Sequence, residues 1–142
     1  MGVRSLIYRH IVDAGVPPTR QELAGLLGTD PDPQLRRLHD AHVIVLDDRP
    51  ERLGEIRMAL PFAAEPTDFR VTTTSGGWWA NCAWDSLAIA AAIQQDAHIA
   101  STWSDTGAPV ALDIRDGQLD HTEGFVHFLI PARHWWDDIV RT

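Results

Sequence analysis

CAWDSLAIAAAIQQDAHIASTWSDTGAPVALDI, residues 82–114, holds a helix, two strands and a pair of reactive side chains in one stretch. An apolar helix runs from about Asn81 to Gln95. Ala97 to Trp103 and Pro109 to Ile114 read as strands joined by the Asp105-Thr106-Gly107 turn. Downstream, Asp116-Gly117 marks another turn, Phe125 to Ile130 alternates as a further strand, and Arg133 to Val140 begins a helix. Upstream, Ser75-Gly76-Gly77 is a small-residue break before the bulky pair Trp78-Trp79. Phe69 to Thr74 is a strand, and residues 63–68 (AAEPTD) form a short linker.

Further toward the N-terminus the pattern turns helical. Residues 4–14 carry Leu6, Ile7, Ile11 and Val12 at helical spacing, and Gly15 stops them. After Pro17-Pro18, Thr19 with Glu22 three residues later makes a capping-box pattern leading into Leu23, Leu26 and Leu27 before Gly28. A third helix opens at Asp32 or Pro33 and carries Leu35 and Leu38 through to His42. His42 to Leu46 then reads as a strand, Asp47 to Gly54 as a turn, and Glu55 to Phe62 as the returning strand. Three helices and a hairpin make a winged-helix outline, in which the third helix would read DNA. Its basic residues are only Arg36 and Arg37 beside Asp32 and Asp40, and residues 1–50 hold six arginines against seven acids. The module is therefore expected to be structural or dimerising, with a homodimer as its product, rather than a nucleic-acid binder.

Composition narrows the function classes. The chain has 142 residues, 44% hydrophobic and 23% charged, as in an ordinary globular protein. Its net charge is −8 and every basic residue is arginine, which argues against a general polyanion binder. No apolar run reaches the roughly 18 to 20 residues of a membrane span. The opening MGVRSLIYRH lacks a signal-peptide pattern, so the expected location is the cytoplasm. No phosphate loop, Gly-x-Ser-x-Gly elbow or cofactor fingerprint occurs, and no cofactor is expected. His98, His121, His127 and His134 show no i, i+4 pair with an acid of the kind that holds zinc. Trp135 and Trp136 serve either the core or a partner surface.

The chemistry concentrates at the start of the helix in residues 76–87, GGWWANCAWDSL. Cys82 is the only cysteine, so it is either a small buried hydrophobe or a working thiol. At a helix start, free N–H groups and the positive dipole end favour the thiolate, so Cys82 is expected to be more acidic than a free cysteine. Asp85, three residues on, falls on the same helical face, where thiol and carboxyl reach one substrate atom together. It serves equally well as a helix cap. Trp78, Trp79 and Trp84 either wall a dry pocket that keeps the carboxyl protonated or belong to the core.

The run from Cys82 to Ile114 resembles the organomercurial lyase (alkylmercury lyase) family. In that segment a cysteine, an aspartate three residues later, an apolar helix and a strand lead to a Thr-Gly-Ala-Pro-Val turn, which stands here as Thr106-Gly107-Ala108-Pro109-Val110. The helices around Thr19-Arg20-Gln21-Glu22-Leu23-Ala24-Gly25-Leu26-Leu27 also resemble the helical domain preceding the family's catalytic core. The resemblance implies that two cysteine thiolates capture the mercury of R–Hg–X while the aspartate relays a proton to carbon, releasing R–H. Soft sulfur suits a soft metal, and protonolysis needs an acid beside the leaving carbon. Cys82 then matches the first cysteine, a metal ligand, and Asp85 the aspartate. No residue of this sequence matches the second cysteine, which in the family follows the strand resembling Phe125 to Pro131 and the helical segment after it.

The expected architecture is α+β. A winged-helix-like helical domain, residues 1–62, packs on a mixed or antiparallel sheet domain, residues 63–142, with a Cys-bearing helix. The expected function is a lyase acting on a small molecule, by resemblance an organomercurial. Cys82 is its nucleophile or mercury ligand, Asp85 its proton donor, and Trp78, Trp79 and Trp84 its pocket. Two readings stand beside it. One is a lyase, cyclase or hydrolase using the same pair on a carbon substrate; the other is a non-catalytic mercury-binding or regulatory protein.

Overall fold

The computed structural model describes residues 2–120 and 123–140. Helix α1 (Val3–Ala14) buries Val3, Ile7 and Ile11, whose four-residue spacing stacks them on one face. It ends at Gly15, where a φ of 80° lets the N–H turn back to the Ile11 carbonyl. Helix α2 (Arg20–Leu27) starts with the full capping box. The Thr19 hydroxyl accepts from the Glu22 N–H at 3.2 Å, and the Glu22 carboxylate accepts from the Thr19 N–H at 2.7 Å. Helix α3 (Asp32–Asp40) buries Leu35 and leads into strands β1 (Ile44–Leu46) and β2 (Ile56–Ala59), an antiparallel pair. Between them Asp47 is buried, and the Arg49 guanidinium beside it holds its carboxyl down at about 2. Arg49 also donates to Glu65 at 2.7 Å, which ties this loop to the chain beyond the hairpin.

Strands β3 (Phe62–Ala63), β4 (Arg70–Thr73), β5 (Gly76–Ala80), β6 (Ala97–Thr102), β7 (Pro109–Arg115) and β8 (Gln118–Leu119) follow. All eight lie in one sheet of order β1-β2-β3-β5-β4-β6-β7-β8, and each neighbouring pair is antiparallel. Residues 62 and 63, where the two expected domains meet, are both in β3, so the sheet runs through that point. Helix α4 (Ala83–Ile93) connects β5 to β6. Ile7, Ile11, Leu23 and Leu35 from α1 to α3 share one core with Phe62, Val71, Trp78 and Ile99 of the sheet and Ile89 of α4. Trp78 joins the two ends of that core, since its indole Nε1 donates to the Ile11 carbonyl at 2.8 Å across 67 residues. Among the described residues no helix is long and apolar enough to cross a membrane.

Three local expectations need correction. Ser75-Gly76-Gly77 does not break the sheet; Gly76 and Gly77 begin β5, a central strand. The absent side chain at 77 leaves room for the Arg70 guanidinium, which a Cβ there would meet at 2.5 Å and which lies over the Trp79 ring at 4.7 Å. Phe125 to Ile130 is not a strand, and Phe125 is 99% exposed. Alternating side chains need a neighbouring strand for their backbone groups, and this segment instead leaves the sheet and packs Phe128 against Trp135. The helix expected from Arg133 to Val140 is a short 3₁₀ segment, Ala132–Asp137.

Candidate active site

Strand β5 ends at Ala80, and the chain turns through Asn81 into α4. Cys82 is the N-cap of that helix, with extended backbone (φ −152°, ψ 178°), and its Sγ accepts from the Asp85 N–H at 3.5 Å. Burial of Ile89 and Ala90 fixes how α4 lies on the core, and so where its first turn is presented. Asn81 holds that turn to the sheet. Its Nδ2 donates to the Pro61 carbonyl at 3.0 Å and to Asp85 Oδ2 at 3.2 Å. Both partners accept, which sets the orientation of the amide. Its Oδ1 is buried and meets no hydrogen-bond partner among the described residues.

Asn81, Cys82 and Asp85 form the floor of a cavity of about 100 Å³. Met58 and Leu60 close one side, and Trp84, Phe128, Trp135, Trp136 and Ile139 the rest. The electrostatics follow from this apolar enclosure. Burial pushes the Asp85 carboxyl up, against hydrogen bonds from Asn81 and Cys82 that favour its charged form. Asp85 thus has the environment of a proton donor. Burial also pushes the Cys82 thiol up, with the N–H bond from Asp85 opposing it. The expectation of a more acidic cysteine is therefore corrected: desolvation outweighs the helix-start N–H groups that favour a thiolate.

The expected pocket tryptophans separate. Trp84 is 56% exposed and lines the cavity beside Cys82. Trp78 does not belong there; it is 1% exposed and bonded into the core. Trp79 is absent from the lining too and sits under Arg70 in the neighbouring strand. The reason is the strand itself, because successive side chains of β5 point to opposite faces and neither meets the helix start. Residues that sequence reasoning missed take their place: Trp135, Trp136 and Phe128 as walls, and Asn81 as the brace on Asp85. The one local signal for Asn81 was its i, i+4 spacing from Asp85 at a helix start. His98 pairs with Asp113 and His134 with Asp137, while His121 lies outside the described residues. Among the described residues no group of three or more His, Cys, Asp or Glu side chains is placed to hold a metal ion.

A larger groove of about 620 Å³ lies between α2, α3 and the β1–β2 loop. It contains no thiol or other activated nucleophile, and among its charges Arg20 is paired with Asp32 and Asp47 with Arg49. Size alone therefore does not make it the chemical centre.

Comparison with known proteins bears on family and fold. The family model for alkylmercury lyase matches residues 62–142, more than half of the chain. No curated protein matches the sequence. Among solved structures, one described as the mercury-bound form of MerB2 aligns with a TM-score of 0.63 at 22% identity. The alignment covers 84% of this chain but only 58% of that protein's, and at such identity it speaks for the shared α+β fold alone.

Proposed function

The chain belongs to the alkylmercury lyase family, and from that premise we propose that it cleaves carbon–mercury bonds, with Cys82 capturing mercury and Asp85 delivering the proton to carbon. The observation that carries this reading is the shared floor of one apolar cavity, where the Cys82 sulfur accepts from the Asp85 N–H and the Asp85 carboxyl is held by Asn81. In the proposed sequence the thiol gives its proton to the carboxylate as sulfur displaces X from R–Hg–X. The protonated carboxyl then faces the carbon. When the carbon–mercury bond breaks, its electron pair stays with carbon, which takes that proton and leaves as R–H. Hg(II) remains on sulfur. An apolar site favours both steps, because the raised affinity for a proton makes the carboxylate a better acceptor in the first and keeps the resulting carboxyl neutral until carbon takes the proton.

Completing the coordination of Hg(II) takes a second sulfur. Cys82 is the only cysteine among these 142 residues, so that sulfur comes from outside them. The lone thiol also supports a rival reading, a protein that binds mercury without turnover. Incubation with methylmercury, with and without excess dithiothreitol, separates the two. Methane released with Hg(II) retained is the expected result; stoichiometric capture without methane would make the protein a binder, and no capture would point to another substrate.

The winged-helix-like reading of residues 1–62 joins this proposal. Three helices and the β1–β2 hairpin pack on the remaining chain through a common core, in a structural role.

A further inference from the structure

Two acids at the same helical position are used differently in this fold, and under the lyase reading, on which this inference rests, the difference concerns proton delivery. Glu22 and Asp85 each stand three residues after the N-cap of their helix. Glu22 turns back and accepts from the Thr19 backbone N–H at 2.7 Å, so its carboxylate serves the helix as a cap. The Asp85 carboxylate accepts from the side chains of Asn81 and Cys82 and, among the described residues, from no backbone N–H. The N-cap sulfur has taken over the capping bond, since it accepts from the Asp85 N–H at 3.5 Å. The carboxyl of Asp85 is thereby released from the capping role common to acids in a first turn.

Asn81 decides how that carboxyl is turned. Its Nδ2 carries two hydrogens, and two acceptors take them: the Pro61 carbonyl at 3.0 Å and Asp85 Oδ2 at 3.2 Å. Pro61 lies between β2 and β3, so the amide is anchored outside α4. Turned over, it would set Oδ1 against the same two acceptors, and Oδ1 therefore stays buried and unpartnered among the described residues. Burying an acceptor without a donor costs stability, and a leucine of similar size would avoid that cost. The Pro61 carbonyl does not depend on the side chain, because the Asn81 backbone N–H also reaches it at 3.4 Å. What only the amide supplies is the bond to Asp85.

We propose that Asn81 is a positioning residue for proton delivery, engaging Oδ2 of Asp85 so that the proton taken from sulfur is carried on Oδ1. In a carboxylic acid the carbonyl oxygen is the better acceptor, so the hydroxyl falls on the oxygen that the amide leaves free. When the carbon–mercury bond breaks, its electron pair takes the proton from Oδ1, and Asp85 returns to a carboxylate that still accepts from Nδ2. Asn81 keeps both amide hydrogens throughout and acts only through Asp85.

The test compares the full chain with its Asn81→Leu variant on methylmercury. Two rates are read: consumption of the Cys82 thiol, which reports capture, and methane release with excess dithiothreitol, which reports proton delivery. Asn81→Leu should melt close to the unaltered chain. Its ratio of release to capture should nevertheless fall by about tenfold to a hundredfold, the order expected when a reacting group is displaced by an ångström. A side chain that only braced the fold would lower stability and leave that ratio alone. Should Asn81→Leu not fold, Asn81→Ala must show the same fall. Asn81 is the only asparagine of this sequence, so ¹⁵N-labelled asparagine gives a single pair of side-chain amide signals. One signal of the pair should move in Asp85→Ala while the one on Pro61 stays. Amide signals indifferent to Asp85→Ala, or an unchanged ratio in a folded Asn81 variant, would overturn the inference. Absence of methane from the unaltered chain would instead sink the lyase reading, and the inference with it.

Discussion

Asn81, Cys82 and Asp85 reach the cavity from five consecutive residues at the start of α4, whereas Phe128, Trp135, Trp136 and Ile139 reach it from the far end of the described chain. The floor is fixed by one helical turn, its cap and a bond to the Pro61 carbonyl. These four wall residues have no regular strand or α-helix under them, only a 3₁₀ segment and contacts such as Trp136 on His42. Reacting groups must keep their geometry to fractions of an ångström, and a helix start supplies that from local sequence. A wall has only to fill space, which a weakly anchored segment does. The difference teaches that the polar floor and the apolar walls of this site are separately held, and separate substitutions should move them.

The largest separation is expected at Asp85. Asp85→Asn keeps an oxygen to accept from Asn81 and keeps the N–H that meets Cys82, so the melting temperature should hold. The transferable proton is gone, and turnover of methylmercury should fall by roughly 10² to 10⁴. Paired melts and turnover assays check this. Turnover near that of the natural residue would reduce Asp85 to a cap and end the division between floor and walls.

Next in size comes the contrast between two tryptophans. Trp78→Ala removes a side chain buried to 1% exposure together with its bond to Ile11, and should cost about 3 to 5 kcal/mol. Trp135→Ala, in the half-buried wall, should cost about 1 kcal/mol, the worth of its one hydrogen bond and partial packing. Denaturant titration measures both. Equal losses would show that the wall is as integral to the fold as the core.

The smallest effect concerns the thiol. Burial raises the Cys82 pKa in the folded protein, so its alkylation rate plotted against pH should have a midpoint above the roughly 8.5 of free cysteine. In urea, where burial is lost, the midpoint should return toward that value. A midpoint below it in the folded protein would mean that the helix start, rather than the enclosure, governs the sulfur.

The sequence was most legible where local rules decide the outcome. Thr19 with Glu22, Gly15 and Gly28 mark helix ends by capping chemistry, and the structure places the ends there. The run from Cys82 to Ile114 likewise becomes a helix and two strands near the expected limits. Legibility failed where a distant partner decides. Gly76-Gly77 has the composition of a turn, yet it pairs in β5 because Thr72 and Thr73 offer their backbone, and the Arg70 guanidinium fills the space its missing side chain leaves. Phe125 to Ile130 alternates like a strand but finds no neighbour among the described residues. The thiol's pKa was misjudged for a related reason: helix position is written locally, whereas burial arrives with Trp135 and Trp136. The cysteine and the aspartate stood out in the sequence, but their walls did not.

The indole bond from Trp78 to Ile11 also bears on how the protein is made. The partners are 67 residues apart, and at synthesis rates of about 5 to 20 residues per second the ribosome needs roughly 3 to 13 s to travel between them. During that interval Ile7 and Ile11, both fully buried in the finished fold, wait for the central strand that covers them. An apolar helix face left open for seconds is what chaperones bind, and production of this protein in a foreign host is therefore expected to respond to chaperone supply and to slower translation at low temperature.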